Sequence, residues 1–337
     1  MSDAPRASRK VFGAARSRAR CRLNEAHVRS REPAMGVIGM IGLGQMGLPM
    51  AANLMKADHT VVGYRRGECA DFRALGGIPA ASAREVAERC DIILCCIPNE
   101  PALEDVVSGV HGIAIGDCSN RIVVELSTLS TSAKTRQADA LAAKGGTMLD
   151  CAISGIPRMV AERQGVVFAS GDEPAFERVR GVLDVVTAKL FYMGAFGTAL
   201  NAKLCANMLV AINIASTAET LAFGRKLGVD PLRLVEALKD GAGGSLQFTV
   251  RAARMATGDW KRVMGSTAML AKDLHLIEEK SGEIGCPTPI LMTAARIYDE
   301  AMAGGYAETD VAAVYAIVAR RAGLDVPGEE SDKTENG

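Results

Sequence analysis

The most conspicuous hydrophobic pattern in the chain is a stretch of twenty uncharged residues, GVIGMIGLGQMGLPMAANLM, from Gly36 to Met55. Its length would allow a helix to cross a membrane. Its five glycines and Pro49 argue against that, because glycine is costly inside a helix. The same residues fit a buried strand at Val37–Ile41, a glycine-rich turn, and a helix from Leu48 with the proline in its first turn. We therefore interpret the stretch as a strand–turn–helix unit.

Beyond this unit, short apolar runs alternate with helical segments up to about residue 196. That alternation is typical of βαβ units, so we predict an α/β fold with a Rossmann-type, doubly wound sheet over residues 36–196. The remaining predicted strands are Thr60–Tyr64, Asp91–Ile97, Arg121–Leu126, Thr147–Asp150, Val166–Ala169 and Leu190–Met193, and helices are predicted from Ser82, at Thr131–Lys144 and at Glu173–Val186.

After Gly197 the strand signals stop, and apolar residues recur at helical spacing. The longest such run is Leu200–Leu227, and later runs are interrupted at Gly241–Gly244, Gly285–Pro289 and Gly304–Gly305. Residues 197–324 are therefore predicted to form an all-helical C-terminal domain. The polar residues 325–337 are predicted to be a disordered tail.

The composition excludes several classes of function. With 48% hydrophobic residues, 23% charged residues and a formal net charge of zero, the chain offers neither nucleic acid nor a membrane surface an electrostatic reason to bind. Nine cysteines without a C-x-x-C motif indicate free thiols in a reducing compartment. The four histidines lack the spacing of metal ligands, so no metal site is predicted.

Residues 1–35 differ from the rest, with nine Arg or Lys residues against three acidic ones and no apolar signal-peptide core. An Arg-rich, acid-poor leader is typical of a mitochondrial transit peptide, and it is also typical of a disordered basic extension. We favour the extension. The expected location is therefore the cytoplasm, with the mitochondrial matrix as the alternative if the leader is a transit peptide.

The turn Gly42-Leu43-Gly44-Gln45-Met46-Gly47 has the G-x-G-x-x-G pattern of a dinucleotide site. The first glycine makes the tight turn, the second lets the backbone approach a pyrophosphate, and the third lets the helix pack against the strand. The helix N-terminus adds unpaired N–H groups for that anion. Because the motif follows a strand and opens a helix, it is much more specific than an isolated match.

The end of the second predicted strand indicates which dinucleotide is preferred. An acidic residue there would bind the ribose 2′-hydroxyl of NAD, whereas arginine accommodates the 2′-phosphate of NADP. This strand ends in Tyr64-Arg65-Arg66, and no acid occurs until Glu68. Guanidinium groups bind phosphate with paired, charge-assisted bonds. We therefore expect NADP as the cofactor, with NAD as a weaker alternative.

Four further segments have candidate chemistry, and each also has an ordinary structural interpretation. Their sequences are CIPN at Cys96–Asn99, ELSTLS at Glu125–Ser130, DCAISGIP at Asp150–Pro157, and a helical segment with Lys203 and Asn207 at i and i+4. The strand-end hydroxyls can bind a ligand or cap a helix, and the small-residue loop can bind an anion or simply turn. The lysine and asparagine can be a solvated surface pair, or, if the lysine is partly buried, part of an acid/base site.

Together these segments resemble the β-hydroxyacid dehydrogenase family, which includes 3-hydroxyisobutyrate dehydrogenase and tartronate semialdehyde reductase. The resemblance runs from Gly36 to Leu324, with the motifs in family order. It implies a homodimeric or homotetrameric, NADP(H)-preferring oxidoreductase that interconverts a small 3-hydroxy acid and its semialdehyde or keto form. It also implies that the helical domain, residues 197–324, serves substrate binding and dimerisation.

The resemblance also implies roles for matching residues. Lys203 would be the catalytic acid/base, and Ser127, Ser154, Gly155 and Asn207 would bind the carboxylate substrate. Besides the glycine turn and the Tyr64–Arg66 segment, the cofactor contacts would be Ile97, Pro98, Thr128 and Lys272.

The chain departs from the family pattern at the substrate loop, where the usual D-A-P-V-S-G-G reads Asp150-Cys151-Ala152-Ile153-Ser154-Gly155-Ile156. Glu125 replaces the family's usual aspartate. These changes leave the identity of the substrate open. An imine reductase and a non-catalytic dinucleotide-binding protein are the alternatives, and both are expected to lack the lysine that this chain has at position 203.

Overall fold

A six-stranded parallel sheet forms the centre of the N-terminal half in the computed structural model, which describes residues 36–329. Predictions for residues 1–35 and for the chain after 329 lie outside that range. The strands of this sheet are β1 (Val37–Ile41), β2 (Thr60–Tyr64), β3 (Ile78–Pro79), β4 (Ile92–Cys95), β5 (Ile122–Glu125) and β6 (Thr147–Asp150). Their order, β3-β2-β1-β4-β5-β6, is that of a Rossmann fold, as predicted.

Seven helices accompany these strands: α1 (Gly47–Lys56), α2 (Ala70–Ala74), α3 (Ala83–Arg89), α4 (Glu100–Val107), α5 (Thr131–Ala142), α6 (Pro157–Ala161) and α7 (Glu173–Val186). Four of them begin at a polar residue whose side chain accepts a backbone N–H from the first turn, namely Ser82, Asn99, Ser130 and Asp172. Such capping satisfies donors that a helix leaves unpaired and fixes where it starts.

Three strands form a separate, smaller sheet. They are β7 (Ile153–Ser154), β8 (Val166–Ala169) and β9 (Lys189–Tyr192), with β7 antiparallel and β9 parallel to β8. The sequence pattern predicted β8 and β9 as strands without distinguishing them from those of the main sheet. The side chains of β9 alternate between exposed and half-buried, whereas β5 is buried throughout.

The C-terminal part of the described chain is helical, as predicted, apart from one isolated backbone bridge. Its helices are α8 (Thr198–Lys226), α9 (Pro231–Leu238), α10 (Leu246–Thr257), α11 (Thr267–Glu283), α12 (Pro289–Ala303) and α13 (Val314–Arg321). Small residues such as Ala211, Ala215 and Ala218 are buried along α8, so the surrounding helices α10 to α13 can approach it closely. The glycine breaks predicted from the sequence fall between helices.

Within residues 36–329, α8 is the one helix whose length and composition would suffice to cross a membrane. Its most apolar 18-residue window has a mean hydropathy of 1.3, and 44% of that window is buried inside the protein. The central helix of a soluble protein passes the same test. Its outer face nevertheless bears exposed apolar side chains, including Leu209 and Phe223.

Candidate active site

The glycine turn joins the end of β1 to the start of α1 and is packed tightly on two sides. Gly42 has a φ of +92°, and a Cβ atom there would lie 2.0 Å from the carbonyl oxygen of Cys96. A Cβ on Gly47 would lie 1.8 Å from the carbonyl oxygen of Gly42. A Cβ on Gly44, by contrast, would have no neighbouring heavy atom within 4 Å. Gly42 and Gly47 are thus required for packing, while the side of Gly44 is open to a ligand.

A cleft of ≈ 430 Å³ runs directly over the turn, on the open side of Gly44. It is lined by the glycine turn, by Tyr64–Arg66 at the end of β2, by Cys96–Pro98 at the end of β4, and by Met269 of α11. No side chain caps the N-terminus of α1. Its first-turn N–H groups can therefore face a pyrophosphate, so the residues fit a dinucleotide cofactor.

The two arginines at the end of β2 differ in their surroundings. The guanidinium of Arg65 donates to both carboxylate oxygens of Asp71, at 2.6 and 3.0 Å. It also donates to the backbone oxygens of Leu43 (2.9 Å) and Glu68 (2.6 Å). Arg66 is exposed and has no hydrogen-bonding partner among residues 36–329. Arg65 thus braces the glycine turn, and Arg66 is the arginine with its donors available for a phosphate.

Lys203 lies in the second turn of α8, and its side chain is buried. Burial lowers the pKa of Lys203, the Asp273 carboxylate raises it in part, and Lys272 lowers it further. The net pKa is below the ordinary value for lysine, which is the direction expected of a lysine that acts as an acid/base. Of the two interpretations left open by the sequence, the structure excludes the solvated surface pair.

Asn207, one turn further along α8, is tied to the neighbouring helix α11. Its Nδ2 atom donates to Oδ2 of Asp273 at 2.6 Å, and both side chains are buried. The Oδ1 atom of Asp273 lies 3.2 Å from Nζ of Lys272. Burial raises the pKa of Asp273, while Lys272, Lys203 and the hydrogen bond from Asn207 each lower it. Asp273 was missing from the predicted site residues, and its position directly after Lys272 was the only signal in the sequence.

Lys272 connects the helical part of the chain to the strand ends of the α/β part. Its Nζ atom donates to the carbonyl oxygen of Thr128 at 2.6 Å. Ser127, the preceding residue, is buried, and its Oγ accepts the backbone N–H of Ile97 at 2.9 Å. Four of the predicted site residues thus form two hydrogen-bonded pairs, Lys272 with Thr128 and Ile97 with Ser127. These pairs join α11 to the end of β5, and the end of β5 to the end of β4.

The predicted substrate loop follows β6 and contains β7. Ser154 and Gly155 are half-buried, and Gly155 has a φ of +154°, a conformation that disfavours other residues. Ile156, where the family pattern has glycine, is the N-cap of α6 and is also half-buried.

Among residues 36–329 no group of three or more His, Cys, Asp or Glu side chains is arranged to hold a metal ion.

The fold and the cleft define a dehydrogenase that uses a nicotinamide dinucleotide, and comparisons with known proteins agree. Residues 37–194 match the NAD binding domain of 6-phosphogluconate dehydrogenase. Residues 197–318 match the family described as NAD-binding of NADP-dependent 3-hydroxyisobutyrate dehydrogenase. The cofactor is therefore NADP(H) or NAD(H).

Individual relatives narrow the class to one family. The chain is 31% identical to 2-hydroxy-3-oxopropionate reductase of Escherichia coli, over 82% of this chain and 95% of that protein. It is 30% identical to mitochondrial 3-hydroxyisobutyrate dehydrogenase of Mus musculus, over 82% and 85%. The crystal structure of 3-hydroxyisobutyrate dehydrogenase from Salmonella typhimurium matches with a TM-score of 0.77 at 28% identity, over 83% of this chain and 99% of that one. The chain belongs to the β-hydroxyacid dehydrogenase family.

The different surroundings of the two arginines predict different effects of replacing them. Arg66→Ala should raise KM for NADP(H) by about 10-fold and leave KM for NAD(H) unchanged, because one charge-assisted bond to the 2′-phosphate is lost. Arg65→Ala should weaken both cofactors, because the turn loses its brace at Leu43. Steady-state kinetics with both cofactors would test this, with exposed Arg73→Ala as the control. Equal kinetics with NADP(H) and NAD(H) in the unmodified protein would contradict a role for either arginine in reading the phosphate.

Proposed function

We propose that the protein is an NADP(H)-preferring oxidoreductase that interconverts a small 3-hydroxy acid and its semialdehyde or keto form, with Lys203 as general acid/base. The observation that carries this proposal is the buried lysine of lowered pKa beside Asn207 and Asp273. Through Lys272, this group is connected to the strand end at Thr128. The proposed proton carrier thus lies on α8 and is linked through α11 to the strand end at Thr128.

The chemistry divides between cofactor and protein. When bound, the nicotinamide accepts or supplies the hydride. In the oxidative direction the neutral amine of Lys203 takes the proton of the substrate hydroxyl, and in the reductive direction its ammonium returns a proton to the carbonyl oxygen. Asn207 has one N–H fixed by Asp273, which leaves the other N–H oriented toward the substrate.

The substrate class is proposed from the loop that follows β6. Ser154 and Gly155 supply a hydroxyl and a backbone N–H for a carboxylate, as in the family that the chain belongs to. Ile156 adds an apolar side chain next to those donors, in place of the family's glycine. We expect this loop to favour a compact carboxylate substrate with an apolar substituent near the carboxylate.

Lys203 also decides between the proposed activity and its rivals. An imine reductase or a non-catalytic dinucleotide-binding protein of this fold is expected to have lost the catalytic lysine. Here the lysine is present, buried and shifted in pKa, at the cost of desolvating a charge. A residue held in that state is better explained by a proton-transfer role than by packing alone.

We further propose that the protein is a homodimer, or a homotetramer built from that dimer, that assembles through the outer face of α8. Leu209 and Phe223 on α8 and its C-cap residue Leu227 are each more than 60% exposed and recur at helical spacing. Ile290 at the start of α12 is exposed beside this face, in a depression whose α8 residues are Ile212, Ala215, Ser216 and Glu219. Exposed apolar side chains grouped on one face, with polar residues among them, are typical of subunit interfaces. The cytoplasm remains the proposed location, with the mitochondrial matrix as the alternative.

The acid/base role predicts the effect of removing the amine. Lys203→Met should lower kcat by about 10²–10⁴-fold, because the apolar stem keeps the packing while the proton carrier is lost. NADP(H) binding and the melting temperature should stay close to those of the unmodified protein. Activity would be followed by NADPH absorbance over a panel of C3–C6 hydroxy acids and aldehydes. A variant with near wild-type turnover would exclude Lys203 as the acid/base.

The charges around Lys203 predict opposite shifts of the pH–rate profile. Oxidation requires the neutral amine and should increase as pH rises through the pKa of Lys203, whereas reduction requires the ammonium and should decrease. Asp273→Asn removes the carboxylate that raises this pKa, so both profiles should move to lower pH. Lys272→Met removes a charge that lowers it, so both should move to higher pH. If Asp273→Asn and Lys272→Met shifted the pH–rate profiles in the same direction, this electrostatic scheme would be wrong.

The assembly proposal predicts that charge on the α8 surface separates the subunits. Leu209→Asp and Phe223→Asp should each shift the protein toward monomer in sedimentation velocity, because a buried carboxylate without a partner is costly at an interface. Val110→Asp is a matched control, since Val110 is 79% exposed and lies outside the helical region. The same sedimentation coefficient in all four proteins would exclude this surface as the interface.

A further inference from the structure

Three charged side chains are completely buried beneath the carboxyl ends of β5 and β6. Nζ of Lys134, in the first turn of α5, lies 2.6 Å from Oε2 of Glu125 and 2.7 Å from Oδ1 of Asp150. All three side chains have zero exposure. We call these residues the buried ion cluster, and none of the roles proposed above uses its lysine.

The strand register explains why the lysine is needed. Glu125 and Asp150 are direct partners across the parallel pair of β5 and β6, so two carboxylates lie side by side away from water. An ammonium group in the first turn of a helix is itself unfavourable, because that end carries a positive partial charge. Lys134 nevertheless lies there between the two carboxylates. Burial lowers the pKa of Lys134, but the two carboxylates outweigh burial and raise it above the ordinary value, so the lysine stays charged.

The second oxygen of each carboxylate holds a different part of the candidate site. Oε1 of Glu125 accepts the backbone N–H of Ser127 at 2.9 Å. The hydroxyl of Ser127 in turn accepts the backbone N–H of Ile97, which lines the cofactor cleft. This half of the buried ion cluster therefore fixes two strand ends on the cofactor side.

The aspartate holds the start of α8. Its Oδ2 atom accepts the backbone N–H of Leu200 at 2.9 Å, three residues before Lys203. The hydroxyl of Ser170, which contacts the same carboxylate at 3.3 Å, accepts the N–H of Ala199 at 3.1 Å. Two unpaired donors of the first turn of α8 are thus satisfied from the ends of β6 and β8. The position of the catalytic turn depends on a carboxylate that Lys134 holds in place.

We infer that Lys134 is a positioning residue: through Glu125 it sets the cofactor-side segment, and through Asp150 it sets the turn of α8 that carries Lys203. The expected effect of Lys134 on catalysis rests on the function proposed above. If the buried ion cluster served stability alone, its loss would lower the melting temperature and leave kinetic constants unchanged below that temperature. If it positions the site, a change at Glu125 must alter mainly the affinity for NADP(H), and a change at Asp150 must alter mainly kcat.

Single variants separate the two branches. Glu125→Gln retains an oxygen for the Ser127 N–H but loses the charge that pairs with Lys134. It should raise the dissociation constant of NADP(H) several-fold and change kcat little. Asp150→Asn loosens the first turn of α8, so it should lower kcat by about 10–100-fold with NADP(H) affinity unchanged, because displacement of a catalytic group by about 1 Å can cost 10²-fold.

A double variant tests the lysine itself. Lys134→Met alone would leave two buried, adjacent carboxylates and is expected to unfold the protein. Lys134→Met combined with Glu125→Gln leaves only the Asp150 carboxylate, so the net buried charge is the same as in the unmodified protein. This variant should fold, lose kcat, bind NADP(H) more weakly, and exchange the amide hydrogens of residues 198–203 faster. Its pH–rate profile should not move, because the buried ion cluster does not shift the pKa of Lys203.

The control removes a largely buried ion contact elsewhere. Arg254→Met breaks the contact between Nη1 of Arg254 and Asp310, 3.1 Å apart in the helical region. It should lower the melting temperature without changing kcat or NADP(H) affinity. The inference would be overturned if the double variant and both single variants kept kcat and NADP(H) affinity within about twofold of the unmodified protein.

A failure of the proposed function would look different. In that case the unmodified protein would turn over none of the hydroxy acids or aldehydes. NADP(H) affinity and amide exchange at residues 198–203 would still decide whether Lys134 holds the two segments, since neither measurement needs a substrate. If the double variant failed to fold, the two single variants would decide the same question.

Discussion

The contact on which the rest of this structure depends is the one between the ammonium of Lys134 and the carboxylates of Glu125 and Asp150. A parallel sheet brings all its carboxyl ends to one edge, which is why ligands bind there. It also brings like charges together when adjacent strands both end in acids. Here one cation compensates two acids, and the acids use their remaining oxygens to hold the surrounding loops and α8. The main sheet, the cofactor cleft and α8 therefore share a single buried centre.

Much of the fold could be predicted because its signals are local. The glycine turn, the strand Thr60–Tyr64 and the helix Glu173–Val186 were predicted at the bounds that the structure has, and each has apolar periodicity or capping within a few residues. The helix Glu100–Val107 was missed because its N-cap residue, Asn99, was interpreted as the last residue of a ligand-binding strand end. The smaller sheet was not separated from the main one because period-two patterns do not indicate which strands pair.

In the candidate site, too, the sequence predicted the features with local signals and missed the long-range contacts. Lys203 and Asn207 could be assigned to one helix face from their spacing, and the dinucleotide turn from its glycines. The pairing of Asn207 with Asp273 spans 66 residues, and no local pattern carries that information. The bonding of Arg65 to Asp71 was equally invisible, although only six residues separate the two, because an exposed acid near an arginine is common. Long-range polar contacts, rather than the elements that present them, were the part that required a structure.

The unequal crowding around the three turn glycines bears on how inherited substitutions in this turn would act. A methyl group at Gly42 or Gly47 would overlap backbone atoms, so the damage falls on folding and the altered chain would be removed by cellular quality control. At Gly44 the methyl group meets open space, so that chain would fold and persist while hindering the approach of a pyrophosphate. Two alleles two or three codons apart could thus differ in their consequence: one equivalent to a deletion, the other an abundant polypeptide that binds its cofactor poorly.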